Sequence, residues 1–367
     1  MKLGQAVSWL TGNLQRSLFP RLEQSWEGPL TDKERRLVSI LEIVQVEKHI
    51  PKSGSTQWKG RKLREREAIA RSFVAKAVYG HPFTRTTIHE LRTTTNLRLI
   101  CGFARKWDIP SESTFSRSFA EFARSGLGDR VHEAVVTRSL KEEIIGHISR
   151  DSTAIRGREK PVKKAQKPKP APKKRGRPKK GEKREPEETR LDRQCRQSVE
   201  EALKELPTVC DVATRRNSKG YMEYWTGFKL HADVNDCGLP VNVVLTSASV
   251  HDSQVAIPMI KMTSARVDYL YDLMDPAYDA RQIYEVSKGL GHVPIIEKNS
   301  RGKDVAPMAP HEAVRYNERT AVERFNSRIK EEFGAKNIMV RGAQKVKLHL
   351  MFGVLALFAD QLIKLAT

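Results

Sequence analysis

Between residues 316 and 333 the apolar side chains Val322, Phe325, Ile329 and Phe333 return every three or four positions, the period of one buried helix face. At 100° per residue, Tyr316, Arg319, Glu323 and Lys330 fall within about 60° of one another on the neighbouring face, centred about 105° from the apolar stripe. The spacing predicts an amphipathic helix with Asn317 as N-cap, Glu318 in its first turn and Tyr316 just before the helix proper. Upstream the period changes to two. Val267, Tyr269, Tyr271 and Leu273 alternate onto one face, which predicts a strand over 267–274 that delivers Asp275 to its end. Asp279 then reads as the cap of a helix from Ala280 to about Lys288. A short apolar segment, 143–150, predicts a first strand ending at Asp151. Residues 224–233 and 239–246 predict two more, joined as a hairpin by the turn at 235–238, and 293–297 a further one. Asp252 reads as the cap of a helix opening at Ser253 and kinked at Pro258.

Residues 1–140 are helical in pattern. A helix over 88–104, a break at Asp108-Ile109-Pro110 and a helix over 111–122 capped by Ser111 resemble helix-turn-helix. Phe115, Phe119 and Phe122 would face inward and Arg117 outward. Two readings fit: a DNA-recognition helix, or a hairpin that only packs. The most hydrophobic stretch, 348–365, carries His349, Asp360, Gln361 and Lys364. It is expected to be the buried terminal helix of the folded unit that precedes it, with no membrane partner. Met1-Lys2-Leu3-Gly4 opens no apolar stretch of signal-peptide length, and Cys101, Cys195, Cys210 and Cys237 form no CxxC pair. A reducing, cytoplasmic location is the expectation.

Charge narrows the partner. The formal net charge is +22, the footprint of a polyanion binder. Residues 158–184 concentrate it, with fourteen Lys or Arg against Glu159 and Glu182, interleaved with proline. Too few apolar residues are present there to offset the entropy of ordering. Within the run, Lys174-Arg175-Gly176-Arg177-Pro178-Lys179 resembles an AT-hook, with Arg175 and Arg177 as candidate minor-groove contacts. A basic linker holding phosphates without sequence preference fits equally. The chain therefore divides into a helical region at 1–140, a folded unit at 141–157 and 215–367, and an inserted basic linker at 158–214.

Two aspartates at strand ends and a glutamate on a later helix are the donor set for divalent cations in phosphodiester chemistry. Asp151 in Asp-Ser-Thr, Asp275 in Asp-Pro-Ala-Tyr-Asp, and Tyr316, Arg319, Glu323 and Lys330 in Y-x2-R-x3-E-x6-K resemble the DDE transposases of bacterial insertion sequences. The likeness is to the family-four type with the Y-R-E-K signature, and it covers 144–342, interrupted by the basic insertion. Asp272, inside the strand, competes with Asp275, but only Asp275 fits the family's D-x-x-Y-D arrangement.

The resemblance implies an α/β ribonuclease-H-like catalytic domain with a mixed sheet, preceded by a helical DNA-binding region. It implies that Asp151, Asp275 and Glu323 hold two Mg2+ ions, with Mn2+ a substitute. It further implies that Tyr316, Arg319 and Lys330 contact DNA. The implied partners are terminal inverted repeats and target DNA, with a homodimer on paired ends. A nuclease that cuts without joining, and a DNA-binding regulator with a decayed site, are the competing readings. Lys229 and His231 alternate on one strand face and suit either a DNA contact or the polar side of an edge strand.

Overall fold

The computed structural model describes residues 28–50, 66–162, 188–216, 219–300, 304 and 306–366. Its centre is a mixed six-stranded sheet made of β1 (Ile144–Arg156), β2 (Asp211–Arg216), β3 (Met222–Asn235), β4 (Pro240–Ser247), β5 (Asp268–Met274) and β6 (Val293–Ile296). β1 runs antiparallel to β3 and parallel to β5, and β5 is parallel to β6. β2 and β4 follow one another along the far edge of β3, β2 against Met222–Gly227 and β4 against Phe228–Val234. At the handover Gly227 has φ +151°, and a Cβ there would stand 2.1 Å from the Ile155 carbonyl oxygen. Only glycine fits so close to the neighbouring strand. The layout is ribonuclease-H-like: an antiparallel β1–β3–β4 group continued by parallel strands on the other edge of β1.

Helices cover both faces. Phe228, Leu230, Ala232 and Val234 of β3 share a core with α12 (Thr320–Glu331) and α13 (Ala343–Ala366). Lys229, His231 and Asp233 point the other way, toward Asp252 and Thr263 at the two ends of α9 (Ser253–Ser264). Beside α9 pack α10 (Arg281–Gly289) and two short helices, α7 (Arg190–Arg196) and α8 (Val199–Lys204). The sequence reading had placed 188–214 in the linker. The structure forms α7, α8 and β2 from it, because reciprocal capping by Thr189 with Asp192 and by Ser198 with Glu201 satisfies the helix ends. β2 gains its ladder from the exposed edge of β3.

Ahead of the sheet lie α1 (Asp32–Val44), α2 (Arg66–Val78), α3 (Thr84–Thr93), α4 (Thr95–Cys101), α5 (Glu112–Arg124) and α6 (Leu127–Leu140). The continuous helix expected over 88–104 is broken at Thr94, whose backbone is extended. Phe115, Phe119 and Phe122 are buried as expected, but Ser111 stands at the N-cap of α5 without a side-chain cap bond. α13 is long and apolar enough to cross a membrane, yet it is mostly buried inside the fold. It packs chiefly on α1, α2, α5 and α6, and also on α12 and β4, so the helical region and the sheet share one core. Gly353 marks how closely it passes the end of α12, since a Cβ there would lie 2.6 Å from the Phe333 carbonyl oxygen.

Candidate active site

The parallel register of β1 and β5 ends with Arg150 opposite Met274, so the next residue on each strand is Asp151 or Asp275. Neighbouring strands are about 4.8 Å apart, which sets the two carboxylates side by side. Pro276 then ends β5, and Asp275 turns back to accept the Ala277 N–H at 2.9 Å. Asp151 is not at its strand's end as expected. β1 continues to Arg156 because β3 pairs with it that far. What ends at Asp151 is the parallel edge.

Behind the pair, Arg150 is fully buried and donates from two nitrogens to Asp233, with Asp272 at 3.4 Å. Asp272 also receives Tyr269 Oη and Ser287 Oγ. A carboxylate engaged in this way serves the core, which explains why Asp272 is not available to a ligand.

The helical path over the sheet opens with α11 (Pro310–Tyr316), passes through a 3-10 turn at Asn317–Arg319 and continues into α12. Asn317 is therefore not an N-cap, since helical backbone precedes it, and Tyr316 closes α11. Val322, Phe325, Ile329 and Phe333 are buried, fixing the rotation of α12. Asn326 Nδ2 then reaches Asp151 Oδ2 at 3.0 Å. Arg319 pairs with Glu323 at 2.6 Å, and the Glu323 side chain is 54% exposed. Tyr316 Oη donates to Glu297 at 3.0 Å and its ring lies under the Arg319 guanidinium. Lys330 lines a pocket of about 140 Å³ with Arg156, Arg215 and Lys336, further along β1. Arg175 and Arg177 lie outside the described residues.

Burial, reinforced by Asp275 and Asp252, pushes the Asp151 carboxyl up to about 6, against the pull of the Ser152 N–H and Arg319. Burial also raises Asp275, with Asp252 and Glu297 adding to it. Asp252 is the residue that pattern alone misplaced. It stands at the N-terminus of α9 but makes no cap bond. Its carboxylate instead accepts Lys229 Nζ at 2.9 Å, and His231, Lys229 and the Ser152 hydroxyl together outweigh burial to keep it low. His231 is buried, bonds Thr246 and is held near 4, so it is neutral and Lys229 is the balancing cation.

Neither Lys229 nor His231 is on an exposed edge, because β3 is interior. Two polar residues alternating in a strand that is otherwise core needed a buried partner, and that was the signal for Asp252. Asp279 is likewise no cap; it accepts the Asn299 N–H and Lys298 Nζ, and α10 starts after Ala280 without it.

Among the described residues no three His, Cys, Asp or Glu side chains already converge to hold an ion. The donors nevertheless fit hard divalent cations. Asp151 and Asp275 are adjacent carboxylates whose proton affinity burial raises, with Asp275 adding to it at Asp151, and Glu323 is on the helix above them. Arg319 Nη1, Asn326 Oδ1 and Tyr278 Oη are buried without hydrogen-bond partners. Tyr278 sits in the field of Asp252, Asp151 and Asp275. Orphaned polar atoms around a carboxylate cluster mark where a ligand belongs.

Two families match the chain: "Transposase DDE domain" over residues 146–359 and "Transposase domain (DUF772)" over residues 25–121. No curated protein and no solved structure matches it.

Proposed function

This chain belongs to the DDE transposases, and from that membership we propose that it performs Mg2+-dependent strand cleavage and strand transfer at insertion-sequence ends, in the manner of the Y-R-E-K type. Membership makes it a nucleic-acid-cleaving enzyme whose partner is DNA. The observation that carries the finer reading is the β1–β5 register, which brings Asp151 beside Asp275 under the helix bearing Asn326 and Glu323, with Arg319 in the turn just before it.

Asp151, Asp275 and Glu323 would hold two Mg2+ ions, or Mn2+ in their place, which supply Lewis-acid activation of the attacking and leaving oxygens. The remaining work falls to protein groups. Asn326 fixes one Asp151 oxygen, leaving the other for the ligand. Glu323 is held by Arg319 on a largely solvent-facing side chain. Exchanging that partner for a cation would free the guanidinium, whose Nη1 already lacks an acceptor. A phosphate oxygen would satisfy it with a charge-assisted bond. Tyr316, anchored on Glu297, flanks the same phosphate. Lys330 offers a cation to the strand further along β1. We infer a homodimer acting on paired ends, each copy supplying one such site.

The test uses a supercoiled plasmid carrying the DNA that flanks the gene, with Mg2+. Asp151→Ala, Asp275→Asn and Glu323→Gln should each abolish nicking and joining while DNA binding persists. Normal cleavage by any of them removes that residue from the set. Nicked products without joined ones would instead indicate a nuclease.

A further inference from the structure

A cleft of about 520 Å³ opens where the helical region meets the segment leading into α13. Phe73, Phe83 and Phe119 give it an apolar wall; Lys76, Arg158, Arg341 and Lys345 line the rest, with Glu112 the one carboxylate among the described lining residues. Three helices present their N-terminal ends to it. Thr84 opens α3 and Glu112 opens α5, while Arg341 stands just before α13. First-turn N–H groups lack intrahelical acceptors and carry the positive end of the helix dipole. Neither Phe83 nor Ser111 caps its helix with a side chain. Glu159 accepts the Gly342 N–H at 3.0 Å, which pins the start of the basic run at the cleft's mouth.

The second, independent feature is Lys76. Its residue exposure is 7%, and burial is the only influence on its charge. No hydrogen bond or ion pair holds it among the described residues, and its ammonium is pushed down to about 8. A buried cation without a counterion is costly unless a ligand supplies one. Its other titratable neighbours, His349 and His81, are both held low by burial and so stay neutral, and neither form of an imidazole could supply the missing anion.

We propose that this cleft is a second DNA-binding site, seating the phosphate of one nucleotide on Lys76, Arg341 and Lys345 with the sugar or base against Phe83. β1 sets the path. Asp151, Arg156 in the smaller basic pocket and Arg158 at the cleft follow one another along extended chain, a reach of about 20 Å from the carboxylates. A strand cut at the aspartates would therefore be held again a short way along the duplex.

The assignment rests on DNA being the partner, so binding is measured without divalent cations, where cleavage plays no part. The probe is a fluorescent duplex of arbitrary sequence, titrated by anisotropy over a range of salt. Lys76→Met with Arg341→Ala and Lys345→Ala should weaken binding at least about tenfold and flatten the slope of log affinity on log salt by about 1, near 0.9 for the one lost phosphate contact. Removing three exposed lysines elsewhere, Lys48, Lys204 and Lys288, should change the slope far less. A triple cleft variant that melts like the parent and binds with an unchanged slope overturns the site, as does an equal loss in the control. Failure of the parent itself to bind overturns the DNA reading beneath it. Should the cleft variant unfold, a 5-iodouracil duplex crosslinked to the parent decides: adducts on Phe83 or 341–345 support the site, and adducts only elsewhere overturn it.

Discussion

A carboxylic acid buried beside two others keeps its proton longer than water would allow. Burial pushes the Asp151 carboxyl up to about 6 in the folded chain, against about 3.9 for an unfolded aspartate. The folded state thus binds this proton more tightly, so the contribution favours folding at low pH and is lost as pH rises through about 6. Without divalent cations, Asp151→Asn should be more stable than the parent at pH 7.5, by up to about 3 kcal/mol, and the gain should vanish near pH 4. Added Mg2+ should raise the melting temperature of the parent and leave the variant almost unmoved. A variant that melts below the parent at pH 7.5 would show that burial of the charge is not the dominant feature of this residue.

At the scale of an element, α12 separates its work by face. Phe325→Ala should cost about 3–5 kcal/mol, the usual penalty for emptying an aromatic position in a core. Arg319→Ala and Lys330→Ala should melt close to the parent yet slow cleavage, since their side chains lie beside the stripe of Val322, Phe325, Ile329 and Phe333. Paired melting and cleavage curves decide it; the reverse pattern would mean that the faces are exchanged. This helix was legible because its partner is simply the apolar interior, and period 3.6 reports that directly. The strand order was legible for the same reason, with period 2. Asp252 was not, since its cation lies on a strand far upstream and only the fold joins them. Nor were α7, α8 and β2. Their capping pairs, Thr189 with Asp192 and Ser198 with Glu201, were visible, but the polar composition of the preceding run concealed that α9 and β3 wait to receive them.

For the whole molecule, the point of union is Asp360. Nearly buried on α13, it accepts from Arg36 of α1 and Arg328 of α12 and pairs with Lys364. Those cations outweigh burial and hold its carboxyl low. Asp360→Asn should cost about 3 kcal/mol, the scale for breaking a largely buried ion pair. The loss should shrink as pH falls below the unfolded aspartate value, where the parent also forfeits the charge. A cost confined to tenths of a kcal/mol in chemical denaturation would reduce the contact to a surface pair. The location of α13 also carries a consequence for synthesis. The helices it covers are translated first and their apolar faces emerge from the ribosome without a partner. At about 5–20 residues per second, α13 follows tens of seconds behind α2. Until then a nascent chain has greasy, unclosed helices, the state that chaperones hold and proteases find. A message truncated before codon 343 would yield no smaller working enzyme, only a polypeptide that cannot close, so assembly waits on the ribosome having passed residues 343–366.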